Sequence, residues 1–183
     1  MSELNQHQYF EQAMLPHLQA AFNLALWLLH NHADAEDAIQ EAYLRAFRHF
    51  DSFRGGDARV WLLAIVRNVC YTHLQSKKVR VMEEFNEELH GADCHSNPMQ
   101  AYHHGDPALA SLQNADKQSI NLAIAQLPTD FREVIVLREL EELSYKEIAK
   151  IIGVPIGTVM SRLARARGLL KDALTKEFAP GSS

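Results

Sequence analysis

Residues 143–167 read LSYKEIAKIIGVPIGTVMSRLARAR and contain two short helical patterns separated by a turn. Ser144 and Glu147 have the spacing of a capping box, in which each side chain bonds the other residue's backbone N–H at the start of a helix. Gly153 suits the positive φ of a tight turn that ends this helix, and Pro155 suits the first position of the next one. The stretch therefore predicts a helix-turn-helix.

The second helix of this motif has two distinct faces. One face carries apolar side chains and the other carries short polar and basic ones: Val159, Leu163, Ala166 and Leu170 against Thr158, Ser161, Arg162 and Arg165. Reading the DNA major groove requires a face of the second kind. We expect Ser161 and Arg165 to contact base edges. Phosphate contacts are expected from Thr158, Arg162 and Arg167. The alternative is a solvated amphipathic helix with ordinary surface arginines.

The composition of the whole chain limits its class. The 183 residues, 47% of them hydrophobic, allow one medium domain or two small ones with a real core. Lys and Arg total 18 against 23 Asp and Glu, a net charge of −5. A net negative charge argues against a simple polycation that coats nucleic acid.

Basic residues nevertheless concentrate in two acid-free stretches, residues 58–82 and 157–171. They are Arg59, Arg67, Lys77, Lys78 and Arg80 in the first, and Arg162, Arg165, Arg167 and Lys171 in the second. The pattern suggests two places that contact phosphate and an acidic remainder that contacts another partner.

Two cysteines, Cys70 and Cys94, are too few for a disulfide framework and are compatible with a reducing cytosol. The N-terminus lacks the pattern of a secretory signal. The longest apolar run, residues 24–29, is far too short to span a bilayer. We therefore expect a cytoplasmic protein without membrane insertion.

Helical periodicity dominates the first part of the chain. One predicted buried face comprises Leu15, Leu18, Phe22, Ala25, Leu26 and Leu29, and a second comprises Ala35, Ala38, Ile39, Ala42, Tyr43, Ala46 and Phe50. Asp34 is the expected N-cap of the second helix. Residues 51–57 are expected to form a loop. Residues 60–66 are predicted to form a buried helix that continues as a basic helix to residue 80.

Residues 81–115 are acidic at first and then rich in glycine, proline and histidine, which predicts a flexible linker. Helical periodicity resumes at Ile120 and continues to residue 140, before the helix-turn-helix. The fold prediction is therefore all-α, with two small helical domains at 1–80 and 116–178 joined by a linker at 81–115.

Several stretches resemble bacterial sigma factors of group 4, the extracytoplasmic function (ECF) type. Residues 143–149 and 154–167 resemble domain 4 of that family. Residues 34–41, DAEDAIQE, resemble its core-polymerase-binding helix. The segments FRG at 53–55 and WLLAIVRN at 61–68 resemble its promoter-melting, −10-reading part. The resemblance covers nearly the whole chain, with the motifs in the family's order and spacing.

The resemblance implies a protein that is not an enzyme and needs no cofactor or metal. Such proteins bind RNA polymerase core through its clamp, direct it to promoter DNA and help open the duplex. Domain 2 reads the −10 element and domain 4 reads the −35 element. An anti-sigma factor often holds proteins of this type, so it is an expected partner here.

The resemblance also assigns residues to three surfaces. Core polymerase binding falls to Asp34, Glu36, Asp37, Gln40 and Glu41. Contact with −10 DNA falls to Phe53, Arg54, Arg59, Trp61, Arg67, Asn68, Lys77 and Lys78. Contact with −35 DNA falls to Thr158, Met160, Ser161, Arg162, Arg165 and Arg167. Phe53 and Asn68 would form a pocket for a flipped base. For Trp61 a place in the core is favoured over a DNA contact, because a lone tryptophan in an apolar helix more often packs in the core.

Two departures from the family pattern stand out. After Asn68 the family usually has an aspartate and then arginines, whereas this chain has Tyr71-Thr72 and Gln75-Ser76. This difference concerns the details of −10 recognition. Met160 stands where many relatives have a basic or polar residue, so its neighbours are candidates for the −35 preference.

Two other functions were weighed. One is a helix-turn-helix regulator whose N-terminal half senses a ligand or metal, with the linker residues His90, Cys94, His95, His103 and His104 as candidate ligands. Their spacing matches no closed structural site, so no metal is predicted. The other is a small hydrolase or transferase, but the chain lacks a phosphate-binding glycine loop, G-x-S-x-G and H-E-x-x-H.

Overall fold

The computed structural model describes residues 3–85 and 110–178, with side chains for residues 6–80 and 117–175. Within these ranges the chain forms helices and turns and contains no strand. Contacts between residues divide the chain into two compact units, formed mainly by the helices before residue 86 and by those after residue 109. The prediction of an all-α fold is confirmed.

The described residues of the first unit form four α-helices and two short 3-10 turns. They are α1 (Glu3–Met14), a 3-10 turn (Leu15–His17), α2 (Leu18–Leu29), α3 (His32–Arg48), a 3-10 turn (Phe50–Ser52) and α4 (Ala58–Phe85). Helices α2, α3 and α4 pack on one another. Four alanines of α3, at positions 35, 38, 42 and 46, are fully buried. Their small side chains let the neighbouring helices approach closely, as the predicted face of α3 requires.

The predicted apolar face of the first segment is only partly correct. Ala25, Leu26 and Leu29 are buried, but Leu15 and Leu18 are 54% and 41% exposed. The helix is not continuous here, because the 3-10 turn containing Pro16 separates α1 from α2. Leu15 lies within this turn and Leu18 is the first residue of α2, so both precede the part of α2 that is buried, which begins at Ala20.

The N-cap of α3 is Asn31, so the prediction of Asp34 as the cap is wrong. Helix α2 ends at His30, whose φ of 54° places it in the left-handed region. Asn31 is extended, and its side chain accepts a hydrogen bond of 3.0 Å from the backbone N–H of Asp34. Asp34 therefore lies in the first turn of α3, where a negative charge is still favourable next to the helix N-terminus.

Helix α4 follows a loop with two glycines at positive φ, Gly55 at 73° and Gly56 at 158°. Asp57 caps the helix, since its Oδ1 accepts a 3.1 Å hydrogen bond from the N–H of Val60. The helix runs unbroken through the predicted buried and basic segments and reaches Phe85. The linker predicted at 81–115 is therefore too long at both ends, because residues 81–85 belong to α4 and residues 110–115 belong to the next helix. Residues 86–109 lie outside the described ranges, and so do the four histidines and one cysteine named as candidate metal ligands.

The second unit contains α5 (Ala110–Gln126), α6 (Thr129–Ile135), a π-helical turn (Val136–Leu140), α7 (Tyr145–Ile152) and α8 (Ile156–Phe178). Helix α8 packs on α6 and α5. Val134, Leu137 and Leu163 are at most 1% exposed and belong to its core. This packing fixes one side of α8 and leaves its other side exposed.

Candidate nucleic-acid and polymerase interface

The first helix of the helix-turn-helix begins with the predicted capping box. The N–H of Ser144 donates to Oε2 of Glu147 at 2.6 Å, and the N–H of Glu147 donates to Oγ of Ser144 at 3.3 Å. Gly153 ends the helix with a φ of 71°, and the N–H of Val154 donates back to the carbonyl of Ala149 at 3.2 Å. This is the hydrogen bond of a Schellman turn, so the predicted cap, turn and stop are all present.

The second helix, α8, begins one residue later than predicted. Pro155 lies just before Ile156, and its carbonyl accepts hydrogen bonds from the N–H groups of Thr158 and Val159 at 2.9 and 3.2 Å. Proline has no N–H of its own, so it leaves no donor unsatisfied at this position.

The two predicted faces of α8 are present. Val159, Leu163 and Ala166 are buried, whereas Ser161 and Arg165 are exposed. Thr158 is half-buried, and its carbonyl accepts a 3.0 Å hydrogen bond from the hydroxyl of Ser161. Arg165 has no acidic partner among the described residues. Its guanidinium is therefore available to a ligand outside the unit.

Arg162 faces α6. Its Nη1 lies 3.3 Å from Oε1 of Glu133, and its Nη2 lies 3.5 Å from Oδ2 of Asp130. The Glu133 side chain is fully buried, and a buried carboxylate needs charged or hydrogen-bonding partners. Sequence reasoning missed this pair, although an acid beside the apolar run VIVL at 134–137 is a signal that a buried partner exists.

Arg167 also pairs with an acid of its own unit. Its Nε and Nη2 lie 3.2 and 2.7 Å from Oε1 of Glu139, and this hydrogen bonding raises the pKa of Arg167. The pair borders an open groove of about 750 Å³ that is lined by Ile135, Leu170 and Leu174 among others. The three arginines predicted to contact −35 DNA therefore differ, and Arg165 alone of them has no ion pair in the described chain.

An aromatic cluster lies where the −10 pocket is predicted. The ring centroids of Phe53 and Trp61 are 5.2 Å apart, and Phe50 lies 5.8 Å from Phe53 in a stacked arrangement. Phe50 is buried, but Phe53 and Trp61 are half-buried and keep part of each ring exposed. Trp61 thus contributes both to packing and to the surface. This position is compatible with a place in the core and with a DNA contact.

The polar part of the predicted −10 surface lies further along α4. Asn68 is exposed and is two helical turns beyond Trp61 on the same side of the helix. The guanidinium of Arg67 lies 4.0 Å from the ring centroid of Tyr71, a cation–π contact that sequence reasoning missed. Tyr71 is one of the residues that departs from the family pattern. Of the remaining predicted residues, Arg54, Lys77 and Lys78 are exposed and Arg59 is half-buried.

Acids of α3 pair with basic residues of α4 and of α3 itself. Asp34 bonds Lys77, and Glu41 bonds both Arg45 and His73, with 3.0 Å between its Oε2 and Nε2 of His73. The hydrogen bond from His73 is the main reason that the pKa of Glu41 is lowered. The predicted polymerase and −10 surfaces are therefore connected through Asp34 and Lys77.

The other predicted polymerase-binding residues, Glu36, Asp37 and Gln40, are exposed on α3. Glu36 lies 3.4 Å from Nδ1 of His32 one turn earlier. The described ranges contain no group of three His, Cys, Asp or Glu side chains placed to hold a metal ion. None of the helices described is long and apolar enough to cross a membrane.

Comparison with known proteins assigns both units. Residues 14–80 match the sigma-70 region 2 family, and residues 117–170 match sigma-70 region 4. The ECF RNA polymerase sigma factor SigE of Mycolicibacterium smegmatis is 34% identical over 168 residues, which are 91% of this chain and 62% of that protein. The RNA polymerase sigma-H factor of Pseudomonas aeruginosa is 31% identical over 174 residues, 90% of this chain and 86% of that protein.

A solved structure shows the same architecture. The sigma factor RpoE of Bartonella quintana, crystallised with the anti-sigma factor NepR, superposes with a TM-score of 0.71 and 31% identity. The alignment covers 92% of this chain and 98% of that one. The two helical units thus correspond to regions 2 and 4 of a sigma-70 factor. The chain belongs to the sigma-70 family and, within it, to the ECF RNA polymerase sigma factors, which direct promoter-specific transcription initiation.

Proposed function

We propose that the first unit binds RNA polymerase core and the −10 element, and that the second unit reads the −35 element. In this proposal the segment between α4 and α5 is the linker that joins the two units, and the protein acts in the cytoplasm without enzymatic activity. The observation that carries the proposal is the exposed face of α8, where Ser161 and Arg165 stand clear of the core on a helix fixed by α6 and a capped turn.

Arg165 is the proposed reader of a base. An arginine can donate two parallel hydrogen bonds to O6 and N7 of guanine in the major groove, the commonest specific contact in such complexes. Arg162 and Arg167 are proposed to contact phosphates while holding their acids, because a guanidinium has five N–H donors. Their ion pairs orient these side chains before DNA arrives.

The −10 element is proposed to be read as single-stranded DNA. A base must leave the stack before its edges become accessible. The half-buried rings of Phe53 and Trp61 offer a stacking platform, and the exposed amide of Asn68 offers hydrogen bonds to a base edge. Lys78 and Arg54, which are exposed, are proposed to contact the DNA backbone.

The polymerase surface is proposed to be the exposed acidic side of α3. Glu36, Asp37 and Gln40 are exposed there, with Asp34 and Glu41 beside them. Because its acids would repel DNA phosphates, the ligand proposed for this side is a protein surface with basic groups. By similarity to the solved RpoE–NepR complex, we propose that an anti-sigma factor also binds this chain.

A base-resolved selection tests the −35 proposal. Holoenzyme reconstituted with bacterial core polymerase transcribes a library of templates with randomised upstream sequence, and the transcripts are sequenced. Arg165→Ala should relax preference at a single −35 position, with a loss of about 1–3 kcal/mol at that position. Lys117→Ala, which removes a positive charge from α5, is the matched control and should leave the preference unchanged.

A uniform loss across all sequences in Arg165→Ala would make this arginine a phosphate contact. Absence of core-dependent transcription from a folded protein would contradict the whole proposal. Direct binding to a palindromic operator without core would instead favour a ligand-sensing regulator.

A further inference from the structure

The side chains at the centre of the outward face of α8 are unusually small. Gly157, Ser161, Ala164 and Gly168 lie together there by helical spacing, and Ser161 and Ala164 are exposed. A Cβ added at Gly157 or Gly168 would meet nothing within 4 Å, so neither glycine is required by packing inside the unit. Glycine lowers helix stability relative to alanine. A close approach of this face to an external surface gives the small residues a function.

Met160 lies at one edge of this small-residue centre and Arg165 lies at the other. Five helical residues separate them by about 140° around the axis and about 7.5 Å along it. Met160 is 53% exposed, and Ile156, one turn earlier, is 40% exposed. With Ala164 they form an apolar row at i, i+4 and i+8, beside the polar row that contains Ser161 and Arg165.

The chemistry of the major groove restricts which base edges the apolar row can contact. Base edges there present hydrogen-bond donors and acceptors, and the C5-methyl group of thymine is the apolar feature. A thioether can accept only a weak hydrogen bond, but it is polarizable and adapts its shape to an apolar surface. Guanine, adenine and cytosine edges would therefore leave Met160 without a matched partner, whereas thymine would not.

We propose that Met160 is a specificity-determining residue that selects a thymine in the −35 element through the C5-methyl group. The inference rests on the proposed role of α8 in reading that element. Met160 and Arg165 are about 7.5 Å apart along the axis of α8, more than twice the 3.4 Å spacing of base pairs. Because Met160 and Arg165 lie on opposite edges of α8, the two contacts address different base pairs.

The test removes one methyl group from DNA. The preferred −35 element is first obtained from the randomised-template selection with wild-type holoenzyme. Each thymine in that element is then replaced singly by deoxyuridine, which lacks only the C5-methyl group. One replacement should lower wild-type transcription about threefold to fivefold, the scale expected for exposing one buried methyl-sized group.

The same replacement should have no effect on holoenzyme that contains Met160→Ala, and this variant should lose the thymine preference in the selection. Leu169→Ala is the matched control, because Leu169 is an apolar residue of α8 that is 42% exposed but lies outside the row. It should retain full sensitivity to deoxyuridine. Met160 is exposed, so thermal unfolding should confirm that both variants are folded.

The possible failures are distinguishable. If no −35 preference emerges from the selection, the proposed function of α8 is wrong. If a preference emerges but wild type and Met160→Ala respond equally to every deoxyuridine, the methyl contact is wrong. If Met160→Ala keeps its thymine preference but binds core polymerase or an anti-sigma factor less tightly, the apolar row is a protein-docking surface and the inference is overturned.

Discussion

Among single residues, charge pairing separates the arginines of α8 that also hold the fold together from the one that does not. Arg162 is bonded to the fully buried carboxylate of Glu133, whereas Arg165 is exposed and has no acidic partner in the described chain. The two residues are three positions apart on the same predicted DNA-binding face. Their contributions to the free energy of unfolding should nevertheless differ, and single mutations measure the difference.

Arg162→Ala should lower the free energy of unfolding by about 2–4 kcal/mol, because it removes the arginine from a buried carboxylate. Arg165→Ala should change it by less than about 0.5 kcal/mol, as is usual for an exposed side chain. Urea denaturation of the two variants checks the contrast. Equal losses would show that the Arg162–Glu133 pair does not stabilise the unit.

Cys70 should be chemically inert in the native protein. It is fully buried, and burial raises the pKa of its thiol to about 12, so almost no thiolate forms at neutral pH. Cys94→Ser leaves Cys70 as the single cysteine. Iodoacetamide should label this variant slowly in buffer and fast in denaturant. Mass spectrometry measures the extent of labelling. Rapid labelling of the native protein would contradict the packing around α4.

The Glu41–His73 pair should make stability depend on acidic pH. The pKa of Glu41 is lowered from 4.5 in the folded chain, chiefly by the hydrogen bond with His73. Its stabilising contribution is therefore present above pH 4.5 and is lost as the pH falls through the lowered folded pKa. Unfolding free energies measured against pH should fall less steeply in this window for Glu41→Gln. Parallel curves for the two proteins would contradict the assignment.

At the scale of elements, short-range chemistry was predictable and long-range pairing was not. The capping box at Ser144, the turn at Gly153 and the two faces of α8 follow from residues within one or two turns of each other. Arg162 pairs with Glu133 and Glu41 pairs with His73 across about thirty residues, so spacing rules contain no information about these two pairs. Apolar spacing alone places Leu15 and Leu18 on the buried face, but Pro16 marks a 3-10 turn that sets both residues before the buried part of α2.

The cap of α3 shows a second limit of local reasoning. Asn31 and Asp34 are both good N-cap residues, and either can begin a helix with the same apolar pattern. The left-handed conformation of His30, which ends α2, places the start of α3 at Asn31. A residue outside the helix therefore decided between two equally suitable caps.

The capping box of α7 should contribute to the stability of the second unit. Ser144→Ala removes the oxygen that accepts from the N–H of Glu147 and should cost about 1 kcal/mol. Ser144→Asp keeps an acceptor and should retain most of the stability. Thermal unfolding distinguishes the two variants. An equal loss in both would show that the side-chain cap does not stabilise the helix.

Gly168→Ala should stabilise α8 and impair its function. The added Cβ meets nothing within 4 Å, and alanine favours a helix over glycine by about 0.5–1 kcal/mol. The same methyl group lies at the centre of the face proposed to enter the major groove, so transcription should fall although stability rises. Thermal unfolding and transcription by the reconstituted holoenzyme measure the two effects. Unchanged transcription would show that this face does not approach DNA closely.

Across the whole molecule, acidic and basic residues are concentrated on different helices. The chain has a net charge of −5, but its basic residues concentrate on α4 and α8 while α3 presents acids. In the proposed function, the basic surfaces of the two halves bind DNA and the acidic side of α3 binds a protein. The net negative charge should keep DNA binding weak in the absence of polymerase.

In the proposed function, this chain directs core polymerase to promoters through two separate DNA contacts. Run-off transcription with purified bacterial core polymerase on a genomic fragment library tests it most directly, with the protein present or omitted. We predict discrete new transcripts that share two spaced upstream elements and appear only with the protein. A folded protein that neither binds core nor yields such transcripts would contradict the account.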